Sequence, residues 1–279
     1  MDKARSEKIC LQVCELSKEV GAFIREERNK ISQQHVEVKS TNSFVTYVDK
    51  TAEKKIVDAL LKILPGSGFI TEEETTEPHK GEEFLWVIDP LDGTTNFIHG
   101  LPCFSVSIGL LQNNIPVMGV IYEVNMDECF YAWGNGKAYM NGKEIRVSSA
   151  KKVKDSLIAT GFPYYDYERM DDYMSLLKYL MTGSRGLRRI GSAAVDLAYV
   201  ACGRFEVFYE YSLNPWDVAA GVFIVQQAGG RVTDFSGGNN FIFGKEIVAG
   251  NSFVHDEFMG VVTKFFNKKL PRRLKDTKK

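Results

Sequence analysis

An apolar run that opens directly onto carboxylates, a glycine and hydroxyl side chains has the clearest capacity for chemistry in this sequence. It reads Trp86-Val-Ile-Asp-Pro-Leu-Asp-Gly-Thr-Thr-Asn96. Ligands often bind where the strands of an open sheet end, and Asp89 and Asp92 can point to one place there. Two close carboxylates are costly unless a cation or a proton neutralises them, and hard oxygen ligands suit Mg²⁺ or Mn²⁺.

The next residues, Gly93-Thr94-Thr95, supply a tight turn. Its backbone N–H groups can face an anion, particularly if a helical turn begins there. Carboxylates and amides together therefore indicate a metal and a phosphate in one site. A purely structural interpretation stays open, since Asp89-Pro90 can end a strand and Asp92-Gly93 can form a turn.

Three further acidic positions are candidates for the same site. Glu73 lies in a run of glutamates, whereas Asp49 and Asp217 each lie near the start of a predicted helix. Each has an alternative role: a solvated loop for Glu73, an N-cap for Asp49 and compensation of the helix dipole for Asp217. Spacing along the chain does not show whether these side chains converge.

We expect the candidate site residues to be positioned by helices and strands that alternate along the chain. Apolar residues at helical spacing, together with capping and stop signals, predict helices over residues 9–24, 52–63, 173–181, 192–202, 215–228 and 255–266. Apolar or alternating runs predict strands at 84–88, 106–111, 117–124, 128–133, 157–161, 205–209, 231–234 and 246–249.

The two halves of the chain differ in the order of their predicted helices and strands. Residues 104–147 predict an antiparallel meander with Asn-Gly-type turns, whereas helices and strands alternate after about Ala150. We therefore expect an N-terminal α+β lobe over residues 1–150 and a C-terminal α/β lobe over residues 151–279. No repeat or Pro-rich linker separates them, so a cleft between packed lobes is the expected site.

Composition and charge exclude several classes of protein. The 279 residues include 35 Lys and Arg against 36 Asp and Glu, which argues against a disordered chain, a coiled coil or a generally basic nucleic-acid binder. The sequence start lacks the apolar core of a secretion signal, and no apolar run is long enough to span a membrane. We expect a soluble cytoplasmic protein whose 5 cysteines are reduced.

Three segments resemble the ordered signatures of the inositol monophosphatase family: Phe69-Ile-Thr-Glu-Glu73, Ile88-Asp-Pro-Leu-Asp-Gly-Thr-Thr-Asn-Phe97 and Pro215-Trp-Asp-Val-Ala-Ala220. The likeness extends to Gly191-Ser-Ala-Ala194, Tyr209-Glu210 and Gln227-Ala-Gly-Gly230. It implies a layered α-β-α-β-α sandwich of the sugar-phosphatase type, with the metal site between the lobes.

The resemblance implies a set of metal ligands. Glu73, Asp89 and the Leu91 carbonyl would hold one Mg²⁺, and Asp89, Asp92 and Asp217 a second, with a third, weaker ion near Glu73 and with Mn²⁺ as an alternative metal. The N-terminal lobe would thus carry most ligands. Such ions polarise a phosphoryl group, acidify water and stabilise a leaving alkoxide, so no covalent intermediate is needed.

The same resemblance assigns catalytic and substrate-binding roles. Thr94, paired with Asp49, would help Glu73 orient and deprotonate water, and Lys39 matches a basic residue beside the site. Contacts with phosphate and substrate hydroxyls are implied for Asp92, Gly93, Thr94, Thr95, the Ala193 backbone, Glu210 and Asp217.

Two departures from the family pattern bear on selectivity. Thr71 precedes the glutamate pair where glycine is usual, and Glu74 follows it where serine is usual. Asn214-Pro215 also differs from many relatives. The added acid at Glu74 would alter metal affinity or reject more highly charged substrates.

The expected activity is hydrolysis of a small phosphorylated polyol, inositol 1-phosphate first, by a lithium-sensitive homodimer. Alternative substrates are 3′-phosphoadenosine 5′-phosphate, histidinol phosphate and fructose 1,6-bisphosphate. A non-catalytic sugar-phosphate or RNA-associated regulatory protein is the alternative from another class. The basic tail from Lys264 to Lys279 fits a solvated terminus or an electrostatic contact with RNA or a membrane; we expect neither a membrane nor a nucleic acid as a partner.

Overall fold

A computed structural model describes residues 2–30, 36–40, 43–77, 80–134, 136–163 and 166–266. The basic tail beyond residue 266 lies outside this part of the chain, as does the side chain of Lys39. Within the described ranges, no helix combines the length and the apolar character needed to cross a membrane.

The α-helices of the described chain are α1 (Lys3–Arg28), α2 (Tyr47–Ile63), α3 (Thr94–Ile98), α4 (Met170–Gly183), α5 (Ala193–Ala201), α6 (Pro215–Gln227) and α7 (His255–Phe266), and a short 3-10 helix spans Val153–Asp155. The strands are β1 (Val36–Ser40), β2 (Ser43–Thr46), β3 (Gly68–Thr71), β4 (Phe84–Asp92), β5 (Ser105–Gln112), β6 (Ile115–Glu123), β7 (Glu128–Trp133), β8 (Ala138–Met140), β9 (Lys143–Ile145), β10 (Leu157–Thr160), β11 (Gly186–Arg188), β12 (Val207–Tyr211), β13 (Gly230–Thr233) and β14 (Glu246–Asn251).

A seven-stranded sheet with strands in the order β3 to β9 forms the first half of the molecule. Its pairs are antiparallel, apart from the parallel pair of β3 with β4. Alternate side chains of each strand point to opposite faces, so Trp86 and Ile88 meet helices α1 and α2, whereas Leu85 and Val87 face the side of α6.

The second sheet has the order β11-β10-β12-β14-β13. One face, including Phe208 and Ala249, packs with α5 and α6. The opposite face, including Val207 and Val248, packs with α4 and α7. The layers therefore run helix, sheet, helix, sheet, helix, which confirms the predicted α-β-α-β-α sandwich.

Helices α5 and α6 form the middle layer and bring the two sheets together. A side chain at Gly119 of β6 would place its Cβ only 2.3 Å from the backbone oxygen of Ala220 in α6. Glycine is therefore required for α6 to approach the first sheet this closely. The sheets divide between Ile145 and Leu157, although α6 contacts both, so the boundary of the lobes near Ala150 stays a prediction.

Candidate functional site

A polar cleft lies where the end of β4 meets the N-termini of α5 and α6. Its lining includes most of the expected site residues together with several that the sequence did not single out: Glu72, Asp89, Leu91, Asp92, Gly93, Thr94, Thr95, Gly161, Arg189, Gly191, Ser192, Ala193, Asp196, Glu210, Ser212, Leu213, Asn214, Trp216 and Asp217.

A bulge near the end of β4 directs both of its aspartates into the cleft. Asp89 pairs with Ser107 and Asp92 with Ser105, so three steps on β4 match two on β5. Without the extra residue, Asp89 and Asp92 would lie on opposite faces of the strand, because they are an odd number of residues apart. Pro90 has no backbone N–H to donate to a neighbouring strand. It is tolerated here because the bulge interrupts the regular hydrogen-bond ladder.

Asp89 lies against a second carboxylate from the neighbouring strand. Thr71 of β3 pairs in parallel with Ile88 of β4, and the Glu72 N–H continues this ladder to the Ile88 carbonyl at 3.3 Å. Glu72 thereby comes beside Asp89. Burial raises the pKa of Asp89 well above its usual range, and the neighbouring charges of Glu72, Asp92 and Asp217 raise it further.

The structure brings Glu72, and not the expected Glu73, into this cleft. The strand register places Glu72 next to Asp89, whereas the Glu73 N–H donates to Glu53 Oε2 at 2.8 Å. Glu73 is not among the residues that line the cleft. Both glutamates directly follow β3, and which of them binds a cation stays a prediction.

Asp92 joins the two halves of the molecule. Its Oδ2 accepts hydrogen bonds from the Ser192 hydroxyl at 2.6 Å and from the Ala194 N–H at 2.7 Å, so this carboxylate also caps the N-terminus of α5. Burial raises the pKa of Asp92 to about 6, although these hydrogen bonds, the Ala193 N–H and Arg189 oppose the rise.

Asp217 lies in the first turn of α6, as predicted, and forms part of its cap. Its Oδ2 accepts from the Asn214 N–H at 2.7 Å, while Pro215 at the first helical position needs no hydrogen-bond acceptor. Burial raises the pKa of Asp217 well above its usual range, and the charges of Asp92 and Glu72 contribute. The capping role and a position in the cleft are therefore compatible.

Thr94 pairs with Asp49, the arrangement that the resemblance implied. The Thr94 hydroxyl lies 3.0 Å from Asp49 Oδ1 and 3.0 Å from the Leu91 carbonyl oxygen. Asp49 is fully buried and is the third residue of α2 instead of its N-cap, a position that Thr46 takes. Burial raises the pKa of Asp49, while hydrogen bonds from Thr46 and Thr94 oppose that rise.

Gly93 is required at the turn between Asp92 and Thr94. Its φ of 99° is in the left-handed region, and a Cβ would lie 3.0 Å from the Cys103 carbonyl oxygen and 3.3 Å from that of Gly191. The turn therefore combines a conformation that favours glycine with close approach of both lobes. Thr95 and Ala193, both predicted to contact substrate, also line the cleft.

The far side of the cleft contains one predicted residue and two that were missed. Glu210 on β12 is 7% exposed, and its carboxylate lies where Gly161 leaves space: a Cβ there would be 2.1 Å from both of its oxygens. Asp196 and Arg189 line the same region. Burial raises the pKa of Glu210 well above its usual range, the charge of Asp217 adds to the rise, and Arg189 opposes it.

Asp196 was hidden in an apolar helix sequence, and Arg189 in a pair of arginines. Only their proximity to the Gly191-Ser-Ala-Ala194 motif could have suggested a role. In the described part of the chain, Asp196 Oδ1 has no hydrogen-bond partner and the residue is 1% exposed. Burial raises the pKa of Asp196 well above its usual range, the charges of Glu210 and Asp92 add to the rise, and Arg189 opposes it.

The donor chemistry of the cleft fits a hard divalent cation. Four carboxylates, those of Glu72, Asp89, Asp92 and Asp217, line one cleft, and the charges of their neighbours in this set raise the pKa values of Asp89 and Asp217. A bound Mg²⁺ would relieve this repulsion. Within the ranges that the structure describes, no group of three or more His, Cys, Asp or Glu side chains is arranged to hold a metal ion as it stands.

Comparison with known proteins agrees with this architecture. The model of the inositol monophosphatase family matches residues 6–268. The chain is 37% identical to the inositol-1-monophosphatase of Mesorhizobium japonicum over 88% of this chain and 92% of that protein. It is 40% identical to the Nus factor SuhB of Pseudomonas aeruginosa over 85% and 89%.

A solved structure shows the same fold. The Thermotoga maritima IMPase aligns with a TM-score of 0.82 and 34% identity, over 91% of this chain and 96% of that chain. Family model, sequence identity and fold all support one assignment. The chain belongs to the inositol monophosphatase family.

Proposed function

We propose that this protein hydrolyses phosphate monoesters with Mg²⁺, and that inositol 1-phosphate is its preferred substrate. One observation carries the proposal: carboxylates from the β3–β4 loop, from β4 and from α6 line the same cleft as the Gly93-Thr94-Thr95 turn. A metal site and a phosphate site thus adjoin. The family membership and the name of the Mesorhizobium japonicum relative support the same reaction.

The ligand set that we propose is Glu72, Asp89, Asp92, Asp217 and the carbonyl oxygen of Leu91, with Glu72 in place of Glu73. When bound there, Mg²⁺ would polarise the phosphoryl oxygens and lower the pKa of a coordinated water. Mn²⁺ would serve as a substitute, and two or three ions fit the number of carboxylates. Glu72 and Thr94 would orient the attacking water, and Asp49 would accept the hydrogen bond of the Thr94 hydroxyl.

The opposite side of the cleft would bind the hydroxylated leaving group. Glu210 and Asp92 offer carboxylate oxygens to hydroxyl donors, and the backbone at Ala193 lies beside them. Asp196 adds a further negative charge, so this end of the cleft should favour polyols over substrates with a second phosphate. Fructose 1,6-bisphosphate and 3′-phosphoadenosine 5′-phosphate should accordingly be poorer substrates. Histidinol phosphate is another candidate substrate.

A substrate panel tests the proposal. Phosphate release would be measured from inositol 1-phosphate and from the three alternative substrates, each with Mg²⁺ and with EDTA. The expected result is Mg²⁺-dependent release that is fastest from inositol 1-phosphate. Faster release from another member would retain the chemistry and change the substrate, whereas no Mg²⁺-dependent release from any member would contradict the proposed function.

A regulatory role is the second candidate, because several relatives bear the name Nus factor SuhB. The variant Asp92→Asn separates the two functions. It should abolish phosphate release if Asp92 is a metal ligand, whereas a regulatory activity that needs only the fold would survive.

Family behaviour also suggests a lithium-sensitive homodimer. Titration with LiCl at fixed Mg²⁺ should inhibit phosphate release, and NaCl at the same ionic strength should not. Light scattering would give the mass of the assembly independently of activity. A monomer would contradict the dimer without bearing on the chemistry.

A further inference from the structure

Glu53 is a buried carboxylate outside the cleft whose role the proposed chemistry does not explain. It lies in α2 and is fully buried. Its Oε2 accepts from the Glu73 N–H at 2.8 Å, and its Oε1 accepts from the Thr75 N–H at 2.9 Å and the Thr75 hydroxyl at 2.7 Å. Both oxygens of Glu53 are thus bonded to one short loop.

This loop directly follows β3 and begins with Glu72. Residues 72–77 form neither helix nor strand, and Glu74 has a φ of 51°, a conformation that non-glycine residues seldom adopt. Backbone N–H groups in such a segment need partners other than a regular ladder. Glu53 supplies them, and charge-assisted hydrogen bonds of this kind offset the cost of burying the carboxylate.

Asp49 and Glu53 form a pair on one face of α2. Positions four residues apart lie one above the other on a helix, and both side chains are fully buried. Asp49 reaches the Thr94 hydroxyl, and Glu53 reaches the loop after Glu72. One helix face therefore contacts the two segments that carry the proposed phosphate turn and a proposed metal ligand.

We infer that Glu53 is a positioning residue for the metal site: by fixing residues 73–75, it holds the Glu72 carboxylate beside Asp89 and so raises the affinity for divalent cations. This inference rests on the proposed function. Partners that orient metal ligands are typically worth about 10- to 100-fold in metal affinity.

The variant Glu53→Gln tests the inference with little change in size. Glutamine offers one oxygen acceptor, and its NH₂ group faces a backbone N–H that it cannot accept from. Mn²⁺ binding to the protein without substrate would be measured by titration calorimetry. We expect the Kd for Mn²⁺ to rise by about 10-fold or more, and the Mg²⁺ concentration for half-maximal phosphate release to rise in parallel, with kcat at saturating Mg²⁺ within about threefold of the parent.

Asp58→Asn is the matched control. Asp58 is an exposed carboxylate of the same helix, so its variant should bind Mn²⁺ as the parent protein does. Thermal unfolding would be recorded for each protein, because a merely structural role for Glu53 would lower Tm but leave the Kd of the folded protein unchanged. Thr75→Val, which removes the side-chain donor to Glu53, provides a milder variant should Glu53→Gln fail to fold; it should weaken Mn²⁺ binding by a few-fold.

The possible outcomes separate this inference from the proposed function. Parent protein that neither binds Mn²⁺ nor releases phosphate with Mg²⁺ would refute the proposed function. Parent protein that does both, with folded Glu53 and Thr75 variants of unchanged Kd, would overturn the role of Glu53 alone.

Discussion

Adjacent glutamates in the loop after β3 have different surroundings, which makes them a matched pair for experiment. Glu72 lines the cleft beside Asp89, whereas the backbone of Glu73 is bonded to Glu53. Glu72→Gln should lower kcat/KM by at least about 100-fold, because loss of a ligand should cost more than loss of its supporting partner. Glu73→Gln should remain within a few-fold of the parent in the same Mg²⁺-dependent assay. The reverse order would reinstate Glu73 as the ligand.

The Thr94 hydroxyl offers a second test at a single side chain. It lies within 3.0 Å of both Asp49 Oδ1 and the Leu91 carbonyl oxygen. Thr94→Ala should lower kcat by about 10²- to 10⁴-fold, the usual contribution of a positioned proton-transfer group. Thr94→Ser retains the hydroxyl and should keep most of the activity. Equal loss in both variants would show that the methyl group, and not the hydroxyl, is what matters.

At the level of elements, the sequence predicted most long helices and strands because their apolar periodicity survives in the fold. Helix α7 begins and ends where its pattern predicts. The predicted strand 84–88 was too short, since β4 continues to Asp92. Proline and aspartate are rare in strands, but pairing with β5 across the bulge keeps this segment in the sheet. That pairing depends on residues distant in sequence, so local propensity could not predict it.

The contact between β6 and α6 allows a test of packing between elements. Gly119→Ala would force its Cβ to within 2.3 Å of the Ala220 backbone oxygen, and such overpacking typically costs about 1–3 kcal/mol. Gly260→Ala in α7 is the control, because nothing lies within 4 Å of its added Cβ. Alanine there should stabilise the helix by roughly 0.5–1 kcal/mol. Thermal unfolding should therefore shift in opposite directions, and a Gly119→Ala protein as stable as the parent would contradict the close packing.

The whole molecule decides which predicted residues become one site. The motifs identified Asp89, Asp92 and Asp217 in advance, but only the folded layers bring the first two together with the third. Asn96 shows how the halves are joined: its Nδ2 donates to the Cys103 and Ile190 carbonyl oxygens, each at 2.8 Å. Arg189 and Asp196 could not be assigned from sequence, because their importance arises from proximity to residues about 100 positions away.

Concentration of carboxylates in one cleft should make the stability of the metal-free protein depend on pH. The pKa values of Asp89, Asp92, Asp217, Glu210 and Asp196 are all raised in the folded state. The folded protein therefore binds more protons than the unfolded chain above about pH 4, and this contribution to stability is lost as pH rises through the folded pKa values. For Asp92 the loss falls between about pH 4 and about pH 6.

Unfolding in denaturant, followed with EDTA from about pH 5 to about pH 8, measures this effect. Stability should decrease over that range, and saturating Mg²⁺ should restore it most at the higher pH, where the carboxylates are ionised and bind the cation best. Asp92→Asn removes one of the raised carboxyl groups, so its decline with pH in EDTA should be smaller than that of the parent, by roughly 1.4 kcal/mol, because about one pKa unit of the Asp92 shift lies within this pH range. If the stability of both proteins declines equally with pH, the raised pKa of Asp92 does not contribute to the decline. If the stabilisation by Mg²⁺ does not depend on pH, the cation does not bind these carboxylates.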